Sequence, residues 1–233
     1  LSRDADFSEI LEVMETDEKG ALSAEYDTGI PYLYVREIYV PEPYRLDGEI
    51  RKIELIAGQT NEVVFINERK SLILKKTDED TGEPLAGVKI EVTDLEGNQK
   101  DYVSNEQGEF LLEDLASGTY SFKEIKASPG YILDDQLYEF VVEKDGSVEG
   151  TTSWTNAKNR VRLIKKDGRS GKGLAGIELL IEGPEGFSQK ILTDEQGEVE
   201  LRGLLEGSYK VKEVAPPVGY LPLKESISFR LDE

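Results

Sequence analysis

The feature that most constrains this chain is that it repeats itself with a period near 89 residues. Thr16-Asp17-Glu18-Lys19-Gly20, Ser104-Asn105-Glu106-Gln107-Gly108 and Thr193-Asp194-Glu195-Gln196-Gly197 are turn signals of one type, starting 88 and 89 residues apart. Val35-Arg36-Glu37, Phe122-Lys123-Glu124 and Val211-Lys212-Glu213 follow, with their glutamates 87 and 89 apart. Each of these precedes a turn containing proline and then a tyrosine: Pro43-Tyr44, Pro129-Gly130-Tyr131 and Pro217-Val218-Gly219-Tyr220. Leu85-Ala86-Gly87 returns as Leu174-Ala175-Gly176. Solenoid repeats are about 20–45 residues long and bury their apolar faces only against neighbours. A unit of this length can enclose a core of its own, so each repeat reads as a small domain.

Between the turn signals lie short runs with period-2 alternation: Leu72 to Lys76, Val88 to Thr93, Phe110 to Leu112, Thr119 to Lys126 and Leu137 to Glu143. Glu96-Gly97-Asn98 and Asp145-Gly146 punctuate them as turns, and no stretch has a helical period. About six to seven short strands per repeat predict an all-β chain of tandem, Ig-like antiparallel β-sandwiches. The repeat places a complete module at residues 70–159. It predicts that residues 160–233 lack a last strand and that residues 1–69 lack the first one or more.

Composition narrows the function. The chain of 233 residues carries 28 Lys and Arg against 48 Asp and Glu, a net charge of −20, which opposes binding to nucleic acid or to an anionic membrane. It has no cysteine and no histidine. Disulfides, thiolate nucleophiles, Ser-His-Asp arrangements and most transition-metal sites are therefore excluded. Asp78-Glu79-Asp80 lacks the spaced ligands of a calcium loop and reads as a solvated turn, so no metal and no cofactor is expected. No apolar run is long enough to span a bilayer, and no secretory leader is visible.

Alternation also assigns faces. Leu72, Leu74 and Lys76 share one side of a strand, as do Val161, Leu163 and Lys165. Leu33, Val35 and Glu37 share a face; so do Tyr120, Phe122 and Glu124, and Tyr209, Val211 and Glu213. Near the module ends, Val63, Phe65 and Asn67 align, and so do Thr152, Trp154 and Asn156, with Trp154 expected in the core. A lysine, a glutamate and an asparagine thus recur on the apolar side, where an unpaired charge costs several kcal/mol. One reading is a buried Lys–Glu ion pair with an Asn hydrogen bond, or strand ends that reach solvent. The other is chemistry: a desolvated, neutral lysine attacks the asparagine amide while a protonated glutamate polarises its carbonyl.

The ordered series resembles the CnaB (SpaA-type, prealbumin-like) domains of Gram-positive surface adhesins and pilins. It runs through Lys76-Thr77-Asp78, Thr81-Gly82-Glu83-Pro84-Leu85-Ala86-Gly87, Ser104 to Gly108, Gly118 to Glu124 with Pro129-Gly130-Tyr131, and Asn156. Val211-Lys212-Glu213-Val214-Ala215-Pro216-Pro217-Val218-Gly219-Tyr220 is similar to the pilin E-box. The resemblance implies an intramolecular isopeptide bond between a first-strand Lys and a last-strand Asn, assisted by Glu. Position by position it implies Lys76, Glu124 and Asn156 in the middle module, Lys165 and Glu213 in the third, and Glu37 and Asn67 in the first. It further implies an extracellular, wall-anchored stalk with no turnover as an enzyme. Its partners would be neighbouring modules of the same chain and sortase-linked pilin subunits or cell wall. The alternative is an adhesive module for a host protein or glycan. The chain departs from the family at Tyr39 to Tyr44, where no glycine precedes the tyrosine, and it carries neither a Tyr-Pro-Lys motif nor a Leu-Pro-x-Thr-Gly signal.

Overall fold

The repeated turn signals fold alike in all three segments of the chain. In a computed structural model that describes every residue except Asp27, Thr28, Pro222, Lys224 and Glu233, the Oδ1 atoms of Asp17, Asn105 and Asp194 each accept two backbone N–H bonds. These come from the residues two and four further on, the Asx turn that short polar side chains favour. The glycine closing two of these turns has a further task. A Cβ on Gly108 would lie 2.3 Å from the Lys76 carbonyl oxygen, and one on Gly197 would lie 2.4 Å from that of Lys165. Only glycine lets the turn cross the lysine strand so closely, and the crossing is closed by Lys76 N–H to Gly108 O at 2.8 Å and Lys165 N–H to Gly197 O at 2.7 Å.

Among the described residues of 1–69 one antiparallel strand pair forms, β1 (Tyr32–Val35) with β2 (Arg51–Glu54), beside isolated bridges such as Ser2 to Tyr34. The middle segment contains β3 (Ser71–Asp78), β4 (Lys89–Thr93), β5 (Gln99–Val103), β6 (Glu109–Glu113), β7 (Gly118–Lys126), β8 (Leu137–Val142), β9 (Val148–Gly150) and β10 (Ser153–Asn156). A three-stranded sheet ordered β10-β3-β6 faces a five-stranded sheet ordered β5-β4-β7-β8-β9. Leu74, Phe110, Leu112 and Trp154 from the first sheet meet Ile90, Val92, Tyr120, Phe122, Phe140 and Val142 from the second in one buried cluster. Each such side chain contributes about 1.5–3 kcal/mol on burial, and together they hold the two sheets face to face.

The third segment contains β11 (Arg160–Ile164), β12 (Glu178–Glu182), a 3-10 turn at Pro184–Gly186, β13 (Ser188–Leu192), β14 (Glu198–Arg202), β15 (Gly207–Glu213) and β16 (Ile227–Leu231). It repeats the middle plan with a two-stranded sheet, β11-β14, against a four-stranded one, β13-β12-β15-β16. Strand β11 pairs on one side only, whereas its counterpart β3 lies between two neighbours. Consistent with that, Val161 and Leu163 of β11 are half-buried.

Among the described residues all strand pairings are antiparallel but one. Strand β10 runs parallel to β3, with Trp154 opposite Lys76 and Asn156 opposite Asp78. The first and last strands of the module thereby lie side by side in one sheet, and this pairing carries the site.

Candidate functional site

Four inward-facing positions of β3 set the site. Leu72, Leu74, Lys76 and Asp78 alternate with exposed or half-buried neighbours, so the apolar face that begins at Leu72 ends in two charged residues. Strand β7 brings Glu124 to the same place as the continuation of Tyr120 and Phe122, and β10 brings Asn156 two residues after Trp154. The side chains of Lys76 and Glu124 are wholly inaccessible to solvent, and Asn156 is buried. Lys76 Nζ lies 3.1 Å from Glu124 Oε2, and Asn156 Nδ2 donates to Glu124 Oε1 at 2.7 Å. The structure therefore brings Lys76, Glu124 and Asn156 together, with the glutamate between the other two.

Aromatic rings wall the cluster. Lys76 Nζ sits 4.7 Å from the centre of the Trp154 ring, which packs on Phe110 and Phe122 at 5.5 and 4.8 Å between centroids. This surround keeps water out, and desolvation is the largest cause holding the Lys76 amine below the ordinary lysine value, against the opposing pull of Glu124. The ammonium donates to the Thr155 carbonyl at 2.9 Å, and no donor is aligned on Glu124 Oε2. Among the described residues four buried side-chain polar atoms have no hydrogen-bond partner: Glu124 Oε2, Asn156 Oδ1, Trp154 Nε1 and Glu213 Oε1. Three of them line this one cluster and the fourth is on the equivalent glutamate of the third segment. An orphaned buried polar group costs about 1–3 kcal/mol, and such costs gather where a structure does chemistry.

In this structure the Asn156 amide turns its NH2 to Glu124, and its Oδ1 has no hydrogen-bond partner among the described residues. A carboxylate oxygen accepts and so meets the donor side of the amide, whereas a half-turn of the amide would offer its carbonyl to a carboxylic acid.

The flanking segments hold two of the three groups each. Lys165 Nζ lies 3.3 Å from Glu213 Oε2, and the lysine keeps 18% of its side chain exposed. Asn67 Nδ2 donates to Glu37 Oε2 at 2.7 Å. A backbone feature common to all three is invisible in sequence. The N–H ten residues after each glutamate donates to its carboxylate: Asp47 to Glu37 at 2.9 Å, Asp134 to Glu124 at 3.5 Å and Leu223 to Glu213 at 3.2 Å.

A second charged cluster was also overlooked, although parity along β3 signals it. Asp78 is buried and accepts from Lys158 Nζ at 2.8 Å, Tyr131 Oη at 2.7 Å and the N–H groups of Asp80 and Thr81. Its carboxyl is held well below the ordinary range, first by Lys158 and then by Tyr131, while Asp78 raises the Lys158 amine. Tyr220 Oη donates to Asp167 at 2.7 Å in the third segment, the same contact 89 residues on.

The sequence profile of the SpaA prealbumin-like fold domain matches this chain twice, at residues 70–158 and 159–233. Among solved structures, the Bacillus anthracis TIE protein superposes with a TM-score of 0.50 at 26% identity, covering 87% of this chain and 39% of that one. Serine-aspartate repeat-containing protein D of Staphylococcus aureus is 26% identical over 162 residues, which is 59% of this chain but 12% of the relative. Colossin-A of Dictyostelium discoideum is 27% identical over 155 residues, 56% of this chain and 1% of its own length. The chain thus spans a small part of these relatives. Solved pilin subunits and pilus adhesins also match, with TM-scores below 0.5. With both copies of the profile running over the two sandwiches just described, the chain belongs to the SpaA prealbumin-like fold domain family.

Proposed function

We propose that this chain is a stretch of the stalk or shaft of a Gram-positive cell-surface adhesin or pilin, outside the cell and anchored to its wall. In this reading residues 70–159 are a complete module, residues 1–69 the closing part of another, and residues 160–233 one that wants its last strand. The middle module closes itself with an amide between Lys76 and Asn156. The observation that carries the reading is the burial of an amine, a carboxyl and a carboxamide in one dry cluster, with Glu124 touching both of its partners.

The chemistry needs no co-reactant. Within the pair, the proton on Lys76 passes to Glu124, which leaves a neutral amine beside a carboxylic acid. Exclusion of water favours this exchange, because it removes two charges from an apolar site. Glu124 then donates to Asn156 Oδ1 and polarises the carbonyl. Lys76 Nζ attacks Cγ, a C–N bond forms, and the tetrahedral intermediate loses the original amide nitrogen as ammonia after Glu124 relays a proton to it. Holding amine and amide on adjacent strands makes the reaction intramolecular, so weak intrinsic reactivity of a carboxamide is offset by proximity. The bond forms once per molecule and is not turned over. Lys165 with Glu213, and Glu37 with Asn67, are the corresponding partial sets of the flanking modules.

Intact mass tests this directly. The folded chain is expected one ammonia lighter than its sequence, and Lys76→Arg should restore the full mass. A folded chain of unmodified mass would overturn the proposal.

A further inference from the structure

The two junctions between segments are built on a similar plan around Lys70 and Asn159, which are 89 residues apart. At the first, Lys70 N–H donates to the Pro43 carbonyl at 2.9 Å and the Lys70 carbonyl accepts from Leu115 N–H at 3.1 Å. At the second, Asn159 N–H donates to the Gly130 carbonyl at 2.9 Å, and the Asn159 carbonyl accepts from Gly203 N–H at 3.0 Å. Pro43 and Gly130 each stand just before the tyrosine of the turn behind the junction. Leu115 and Gly203-Leu204 belong to the turn ahead of it. The preceding residue bridges to that tyrosine in both cases, Arg69 to Tyr44 and Lys158 to Tyr131. Even the backbone of the forward turn repeats, since Asp114 and Gly203 both have positive φ, 57° and 67°.

Side chains complete each clamp differently. Lys70, whose side chain is 1% exposed, reaches back to Glu42 and forward to Ser117 Oγ at 2.8 Å, so one buried ammonium ties both segments. Asn159 uses its amide as a miniature strand: Nδ2 donates to Leu204 O at 2.7 Å and Oδ1 accepts from Leu204 N–H at 2.9 Å. At Gly130 the two segments also come together backbone to backbone. A Cβ on Gly130 would stand 2.8 Å from the Gly203 carbonyl oxygen. Arg202 Nη1 adds a contact to Asp80 Oδ2 at 3.2 Å across the same junction.

From this we infer that each module carries, at its end, a docking surface for the next module of its own kind, with the linker residue Lys70 or Asn159 clamped between a turn of each. The partner is a successive module, and the joint sets one relative orientation along the chain. A flexible tether would leave these linker groups to solvent, whereas here their backbone donors and acceptors are taken up by two different segments. The joint uses none of the atoms of the Lys76 cluster, so it stands or falls apart from the cross-link.

The absence of cysteine allows clean labelling. Spin labels on Glu106→Cys and Glu195→Cys, exposed equivalents in the middle and third segments, report the distance between them. The full chain is expected to give one narrow distance distribution. Inserting Gly-Ser after Asn159 sets the width of an unclamped joint, and Asn159→Ala should broaden the distribution several-fold toward it. The deficit of one ammonia from each variant's own sequence mass and the circular dichroism of the sandwiches should not change, which separates loss of the joint from loss of the fold or of the cross-link. A broad distribution in the unsubstituted chain, or one that stays narrow in Asn159→Ala, would overturn the inference.

Discussion

Two lysines of the middle module each touch a carboxylate, and their surroundings send them in opposite directions. Lys76 is sealed behind Trp154, and desolvation lowers its pKa despite Glu124. Lys158 keeps about a third of its side chain in water, and the contact to Asp78 raises its pKa. Desolvation favours the neutral amine at Lys76 while the contact to Asp78 favours the ammonium at Lys158, so a tryptic digest should contain a Lys76–Asn156 linked peptide and none that joins Lys158 to Asp78. Glu124→Gln should keep the acceptor for Asn156 and the fold but remove the proton relay, leaving the chain at its unmodified mass; ammonia loss at the normal rate would assign the relay to another group. Burial also has a sign in pH. In Asn156→Ala the amine of Lys76 stays free, and because its folded pKa lies below the unfolded value of 10.5, the unfolded chain binds the extra proton in that window. Stability should therefore rise with pH up to about that value, relative to Lys76→Met/Asn156→Ala, in denaturant midpoints; a falling difference would contradict the desolvation argument. The three groups were legible from strand parity because a period of two assigns a face. Their order in space, with glutamate in the middle, was not, since a face does not specify neighbours. Asp78 was legible by the same parity but was masked by reading Asp78-Glu79-Asp80 as a solvated turn.

At the scale of elements, a repeated hydroxyl clip fixes the loop after the lysine strand. Ser104 Oγ donates to Leu85 O at 2.7 Å and accepts from Val88 N–H at 3.0 Å, and Thr193 Oγ1 does the same for Leu174 and Ile177 at 2.7 and 3.0 Å. Both hydroxyl residues are buried, so Ser104→Ala orphans a donor and an acceptor together. The expected loss is about 1–3 kcal/mol, which for a module of this size lowers Tm by roughly 4–8 °C per kcal/mol. Calorimetry of Thr193→Val should show a similar loss confined to the third segment. Strands β3, β4, β6, β7 and β8 were legible from alternation and turn chemistry. Parallel pairing of β10 with β3 was not, because the alternation that marks a strand is the same for either direction of its neighbour. Residues 61–67 make the point from the other side: they alternate half-buried and exposed as a strand would, yet form no ladder, since a strand exists only with a partner to bond. The joints escaped the sequence reading for a related reason. Arg69-Lys70 and Lys158-Asn159 share only their spacing, and a backbone clamp leaves little mark on side-chain choice.

For the whole molecule, the consequence of these details in the proposed stalk is mechanical. Tension on a tandem array enters the middle module near Lys70 and leaves near Asn159, and between these points the chain runs through β3 first and β10 last. Because the two strands are parallel neighbours, pulling on the module ends loads their hydrogen bonds in shear. The Lys76–Asn156 amide would join the loaded strands covalently, close to both ends of the path. Force would then pass from residue 76 to residue 156 through one side-chain bridge, and the roughly 80 residues between would carry none of it. At about 3.5 Å per residue, that protected segment stores on the order of 280 Å of extension. By analogy with a disulfide, the same closure removes on the order of 4 kcal/mol of unfolded-chain entropy. Single-molecule pulling can separate the two states. Lys76→Arg should show an unfolding step with a contour gain on the order of 280 Å, whereas the unsubstituted chain should show no step of that length from the middle module at any force below covalent rupture. The third segment, where no asparagine contacts Lys165 or Glu213 among the described residues, should extend in both chains and so provides an internal reference in every trace. A long step from the middle module of the unsubstituted chain, with ammonia already lost, would mean that the bond exists but does not lie in the path of the load.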